Sequence, residues 1–136
     1  MNADEMVALC DHHMRVELDA DLEGLMATLG PNPVWGPPDG PKIEGREAVR
    51  AHYAAIMHPG RYEARRLRSW VDEGRQETVS EYIVGVHLDD GRYVEFPVIQ
   101  IVAFEDSLMK SEQLYYDADR RPVDVLPSEI MGAAAS

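Results

Sequence analysis

The stretch from Gln76 to Asp117 reads QETVSEYIVGVHLDDGRYVEFPVIQIVAFEDSLMKSEQLYYD, and its punctuation decides the fold. Apolar and β-branched runs are separated by Asp89-Asp90-Gly91 and by Glu105-Asp106-Ser107, and Asp72-Glu73-Gly74 stands just upstream. Such short polar turns between strand-like runs predict strands over about 62–71, 76–88, 92–104 and 109–117, each antiparallel to the next. Two of these runs are too long to stay flat. Gly85 and Pro97 stand where bulges would curl the sheet.

Upstream the period changes from two to about 3.6. Met6, Leu9, Cys10, His13 and Val16 mark an amphipathic helix over about 4–18. Asp19 or Asp21 can cap a second helix with Leu22, Leu25, Met26 and Leu29 on its apolar face, ended by Gly30-Pro31. A loop rich in proline and glycine then carries a short strand at Val34-Trp35. A third helix starts near Gly45-Arg46-Glu47, buries Ala48, Val49, His52, Tyr53 and Ile56, and stops at Pro59-Gly60. Helices first and a strand meander after is an α+β pattern, with three N-terminal helices packed on one face of a curved antiparallel sheet. Residues 1–131 read as a single domain, with a short helical turn within 123–131, and residues 132–136 as a flexible tail of small side chains.

The chain has 13 Lys and Arg against 25 Asp and Glu, a net charge of −12. That surface repels phosphate backbones and anionic lipid, so nucleic acid and membrane are not expected partners. The one basic cluster, Arg65, Arg66 and Arg68, reads as a solvated strand face or a subunit contact. No basic leader with an apolar run opens the sequence, and no stretch reaches the roughly 20 apolar residues of a membrane span. The single cysteine, Cys10, lies on the first helix's apolar stripe and fits a reducing, cytoplasmic setting. Neither a metal nor another cofactor is expected. His12 and His13 point about 100° apart on a helix, and no phosphate loop, dinucleotide fingerprint or nucleophile elbow is present.

The order helix, helix, short strand, helix, four-strand meander resembles the cone-shaped nuclear transport factor 2-like fold. Phe96 to Asp106, Ser111 to Asp117, Asp21 to Met26 and Gly45 to Arg50 resemble its SnoaL-like, polyketide cyclase-like branch. That resemblance implies a hydrophobic pocket between helices and sheet, and a scaffold shared by cyclases, isomerases, lyases, epoxide hydrolases and plain binding domains. In an ungapped comparison with ketosteroid isomerases, His13 falls at the oxyanion-hole tyrosine, Tyr53 at a supporting tyrosine and Gln100 at the protonated carboxylic acid donor. The general-base aspartate falls at Pro37. The Asp–Arg–Asp trio of limonene epoxide hydrolases falls on Ile83, Glu81 and Leu114, and Leu114 also replaces the aspartate common in the last-strand motif of SnoaL-type cyclases.

The same comparison turns Val79, Glu81, Ile83, Gly85 and His87 inward on the second long strand. It turns Phe96, Val98, Gln100 and Val102 inward on the third, and Glu112, Leu114 and Tyr116 on the fourth. Trp35 and Tyr53 then also line the pocket. Tyr82, Val84 and Val86, left outside, become the expected interface of a homodimer. Glu112 among apolar neighbours is poorly solvated and suited to acid–base work, with Gln100 and His13 as donors to a substrate oxygen. The expected activity is that of a cofactor-independent lyase, isomerase or cyclase. Its substrate is a small apolar carbonyl compound, polyketide-, terpenoid- or steroid-like. The alternatives are a non-catalytic binding domain with the same pocket and an assembly module.

Overall fold

A computed structural model describes residues 1–36 and 40–116 of the chain. Helix α1 (Ala3–Leu18) begins at Asn2, whose side chain accepts from the Glu5 N–H while Glu5 accepts from the Asn2 N–H. This reciprocal cap satisfies two of the free donors of the first turn. Helix α2 (Leu22–Met26) starts at Asp21, which accepts from the Gly24 N–H. Helix α3 (Arg46–Ile56) follows Gly45, whose positive φ of 89° a β-carbon would disfavour.

The strands are β1 (Leu29–Trp35), β2 (Ile43–Glu44), β3 (Tyr62–Asp72), β4 (Glu77–His87), β5 (Tyr93–Glu105) and β6 (Leu108–Tyr116). They form one open, curved sheet in the order β2-β1-β6-β5-β4-β3. The meander is antiparallel throughout, as its turns predict. Asp106 and Ser107, both at positive φ, make the two-residue β5–β6 hairpin. β1 joins β6 in parallel, pairing Trp35 with Glu112.

Several expectations are corrected. The second helix ends at Met26, and Leu29, Gly30 and Pro31 belong to β1 instead. Ala48 is exposed rather than buried. The ladder runs unbroken through Gly85 and Pro97. Within the meander the register shifts fall between Arg66 and Arg68 and between Ala103 and Phe104, where Leu67 and Lys110 are the extra residues. The expected turn of helix within 123–131 and the tail from 132 lie outside the described residues.

The largest correction is the parity of β4. Its buried side is Thr78, Ser80, Tyr82 and Val86, whereas Val79, Glu81 and Ile83 are half-buried and His87 is exposed. Thr78, Ser80, Tyr82, Val84 and Val86 pair with Val102, Gln100, Val98, Phe96 and Val94 of β5, so these residues share the face toward the helices. Tyr82, Val84 and Val86 therefore cannot form an outer subunit contact. The physical reason is that the inward hydroxyls of Thr78 and Ser80 are satisfied locally. Thr78 Oγ1 lies 3.5 Å from Cys10 Sγ, and Ser80 Oγ lies 2.8 Å from Ser69 Oγ. Neither face of β4 is thus purely apolar in sequence.

The helices rest on the flanks of the sheet. α1 approaches β3 and β4, α3 approaches β1 and β2, and β5 and β6 lie between those flanks. Two apolar clusters fill the concave side. One holds Met6, Cys10, Leu25, Trp35, Val49, Tyr53, Val102, Phe104 and Met109; the other holds Val86, Leu88, Phe96 and Val98.

Candidate active site

Gln100 sits between Val98 and Val102 on the inward face of β5, so the junction of the two apolar clusters is polar. Its neighbour across the sheet is Glu112, buried on β6 with only 6% of its surface exposed. The Gln100 amide donates to Glu112 Oε2 at 2.9 Å. Glu112 is fixed from both sides, since its backbone lies between β5, where it pairs with Val102, and β1, where it pairs with Trp35.

From above, α1 lowers His13 onto this pair. Its ring is 1% exposed, with Nε2 3.9 Å from Glu112 Oε2. One turn later Glu17 brings a second carboxyl to the same nitrogen, at 3.8 Å. Residues four apart share a helix face, so His13 and Glu17 reach the site together. The Glu17 side chain keeps 29% of its surface exposed against 7% for Glu112. It is the wetter of the two carboxyls.

Hydrogen bonding fixes the histidine's tautomer. Thr28 donates its hydroxyl proton to the Leu25 carbonyl at 2.6 Å, so toward His13 it can only accept. His13 Nδ1, 2.7 Å away, carries the proton, and Nε2 turns a lone pair toward Glu17, Glu112 and Tyr53. Tyr53 accepts from Trp35 Nε1 at 2.5 Å, which leaves its own proton for His13 Nε2 at 3.4 Å. The neutral ring is therefore an acceptor at Nε2. The expected role of His13 as a donor to a substrate oxygen is corrected on this ground.

Burial drives the titration of the site. It lowers the His13 imidazole to about 4, so the ring is uncharged at neutral pH. Burial also pushes both carboxyls well above the usual carboxylate range; the Glu112 charge raises Glu17 further, and the Gln100 donor offsets part of the rise at Glu112. The Tyr53 phenol is held well above its ordinary value by burial and by both carboxylates, so it stays a donor. Two carboxyls around one neutral histidine can hold and pass a proton near pH 7, which ordinary surface carboxylates cannot.

Of the residues singled out from the sequence, the structure brings together Glu112, Gln100, His13, Tyr53 and Trp35. Phe96, Val98 and Tyr116 form the apolar wall beside them, with the rings of Phe96 and Tyr116 6.5 Å apart. Leu114 pairs with Gln100 on the same face, but 36% of it is exposed. Glu81, Ile83 and His87 are corrected to the convex face. There Glu81 accepts from Arg68 Nε at 2.6 Å, and His87 lies 3.4 Å from Glu63. Glu17 went unnoticed in sequence; the signal was its spacing of four from a buried histidine. Among the described residues, no cluster of three His, Cys, Asp or Glu side chains could hold a metal. Burial raises the Cys10 thiol to about 11, which leaves it an inert core group. No helix among the described residues is long and apolar enough to cross a membrane.

Comparison with known proteins agrees with the fold. Among solved structures, a Δ5-3-ketosteroid isomerase from Mycobacterium sp. is similar at 19% identity, covering 85% of this chain and 95% of its own, with a TM-score of 0.74. A Mycobacterium tuberculosis epoxide hydrolase of the LEH-like type is similar at 17% identity over 86% of each chain, with a TM-score of 0.73. RV0760c from M. tuberculosis, solved in complex with estradiol-17β-hemisuccinate, shares 19% identity, covers 85% of this chain and 96% of its own, and gives a TM-score of 0.74. These likenesses concern the fold. No curated protein matches by sequence. The SnoaL-like domain profile matches residues 3–111 and so stops one residue short of Glu112. With that match over most of its length and the curved sheet behind three helices, the chain belongs to the SnoaL-like domain family.

Proposed function

We propose that this protein is a cofactor-independent acid–base enzyme, an isomerase, lyase or cyclase, acting on a small, largely apolar molecule that bears a carbonyl. The observation that carries this reading is the convergence of Glu112 and Glu17 on the Nε2 lone pair of a buried, neutral His13. Glu112 takes the proton from the carbon beside the carbonyl, and the electron pair moves onto the carbonyl oxygen as an enolate. A second N–H of Gln100 and the proton on Glu17 face that developing charge. The proton then returns to carbon at a new position, or a leaving group departs. Gln100 holds Glu112 in place, and Thr28 and Tyr53 hold His13 beside the two carboxyls. The ketosteroid isomerase, the epoxide hydrolase and the steroid complex among the fold's relatives support a small apolar ligand and chemistry without a cofactor.

The test is deuterium uptake from heavy water at carbon acids beside a carbonyl, followed by NMR across a panel of cyclic and aromatic ketones. Exchange above background is expected with the wild type. Glu112→Gln keeps the shape and the hydrogen bond to Gln100 and should slow exchange about 10²–10⁴-fold, the usual contribution of general acid–base catalysis. Binding without exchange in the wild type would make the protein a non-catalytic binding domain.

The same reading includes a homodimer, now through the convex sheet face. Trp70, Ile99 and Tyr115 stand exposed there beside half-buried Val79, Ile83 and Ile101. An apolar face of this kind, in an otherwise strongly acidic protein, supports self-association. Light scattering at micromolar concentration should give twice the chain mass. A cytoplasmic location belongs to this proposal too, and fractionation of cells expressing the tagged chain tests it.

A further inference from the structure

The burial that suits Glu112 to acid–base work also cuts it off from water, since its side chain keeps 7% of its surface exposed. A base so placed either returns to the substrate the proton it took or exchanges that proton with solvent through a neighbour. Its neighbours differ in whether they can carry one. Gln100 donates to Oε2 at 2.9 Å, but an amide neither gains nor loses a proton near neutrality. The Tyr53 phenol and the Cys10 thiol are buried and pushed up by desolvation, so neither ionises near neutral pH. Behind Tyr53 stands Trp35, buried as well and a donor only. None of these opens a way to water.

Glu17 does. It lies in the last turn of α1 with 29% of its side chain exposed, and among the described residues no hydrogen bond holds its carboxyl. Glu17 and Glu112 approach the same atom, His13 Nε2, at 3.8 and 3.9 Å. Each gap is roughly 1 Å longer than a hydrogen bond, and a small rotation of either carboxyl closes one at a time. Thr28 holds the proton on Nδ1, so any further proton enters and leaves the ring at Nε2. Burial keeps the ring a weak base, lowered to about 4, so it hands a proton on instead of keeping it. A solvent-touched carboxyl, an imidazole lone pair and a buried carboxyl thus stand in sequence from surface to core.

We infer that Glu17 is the proton port of the site, the carboxyl through which buried Glu112 exchanges its proton with water by way of His13 Nε2. The inference rests on the acid–base reading of Glu112 and adds to it the route by which the transferred proton is renewed. The C–H bond beside the carbonyl breaks, its electron pair moves toward the carbonyl oxygen, and the proton goes to Glu112. Glu112 gives that proton to Nε2. Glu17, having lost its own proton to water, takes it from Nε2 and releases it in turn. A solvent proton returns by the same path and Glu112 delivers it to carbon, so nothing is consumed. Burial raises Glu17 toward neutrality, which lets it visit both protonation states.

Isomerisation of 3-cyclohexen-1-one in heavy water tests this, because conjugation moves a hydrogen from the carbon beside the carbonyl to the γ carbon. Conversion is followed by ultraviolet absorbance, and deuterium at the γ carbon of early product by NMR. Most wild-type product should carry deuterium there. Glu17→Gln keeps the size and an N–H donor but cannot ionise. Its deuterium per product should fall about tenfold, the lower range for losing one acid–base group, with the substrate's own hydrogen carried across instead. Glu17→Asp should recover part of the deuterium, and Glu47→Gln, exposed on α3, should match wild type. The readout is a ratio within the product, so the amount of folded variant does not alter it. Full deuterium in the Glu17→Gln product, or none in the wild-type product, overturns the port and leaves Glu112 as the base. Wild-type protein that leaves the ketone unconverted counts against the acid–base reading and this proposal together.

Discussion

The two faces of the β-sheet obey different rules. On the concave face most polar groups are held by a partner, Thr78 by Cys10, Ser80 by Ser69, Glu112 by Gln100 and His13 by Thr28, while the buried Tyr82 hydroxyl has none. On the convex face apolar groups such as Trp70 and Ile99 stand in the open, interleaved with pairs such as Arg68–Glu81 and Tyr93–Glu63. Hydrophobicity alone therefore misassigns the faces. What separates them is whether polar groups are desolvated, and desolvation is also what raises the concave carboxyls above the usual carboxylate range.

The harshest way to break this comparison is to put one charge on each face. Val86 is fully buried, so Val86→Asp should lose stability by several kcal/mol or fail to fold, the usual outcome for an unpaired charge in a core. Ile99→Asp, a change of similar chemistry on the convex face, should remain folded by circular dichroism and halve the mass seen by light scattering. A folded Val86→Asp with an unaltered melting curve would reverse the parity assigned to β4.

A gentler probe is the pH dependence of stability. The raised carboxyls of Glu17 and Glu112 bind protons in the native state that the unfolded chain has already released, so they cost stability as pH climbs above the ordinary carboxylate range. His13 works in the opposite direction. Lowered from 6.5 to about 4, it adds stability as pH rises through that window and nothing beyond it. Between about pH 6.5, the unperturbed histidine value, and the native carboxyl values of about 7 and 8, the carboxyls act alone and urea midpoints should fall, levelling off beyond. Glu112→Gln removes one carboxyl and relieves the other, so the variant should be more stable than wild type above pH 7, with a flatter profile. Matching profiles would show that these groups are solvated.

The smallest effect is expected at Gly85. A β-carbon there would collide with the Tyr93 phenol, which crosses the convex face to donate to Glu63 at 2.9 Å. Tyr93 is 44% exposed and can swing into solvent. Gly85→Ala should cost about 1 kcal/mol or less in thermal melts, within the range of surface changes.

These contrasts also explain what the sequence revealed. Helix α1 was legible because Met6, Cys10, His13 and Val16 repeat on one stripe, and the meander because Asp-Gly and Asp-Ser turns punctuate it. β1 was cut short because Gly30, Pro31 and Pro33 read as breakers, although Pro33 is buried within the strand. Glu112 and Gln100 were singled out from strand alternation and family resemblance, and His13 from its place on the apolar stripe of α1 and the same resemblance. Glu17 was not, because a glutamate beside Val16 looks like an ordinary solvated helix residue until the sheet curls beneath it. The face of β4 could not be read, since a strand that mixes polar and apolar residues on both sides has a register that only its neighbours settle.

The parallel pairing of β1 with β6 has a kinetic consequence. Trp35 and Glu112 are neighbours in space but 77 positions apart in the chain. Each hairpin of the meander closes over a few residues, whereas this contact must close a loop spanning more than half the molecule, and such contacts are slow to form. During synthesis the helices and β3 to β5 can be complete before Glu112 has been made. The cluster of His13, Glu17, Gln100 and Glu112 is thus assembled by the same late step that completes the sheet, and a chain halted before that step would lack its central carboxyl.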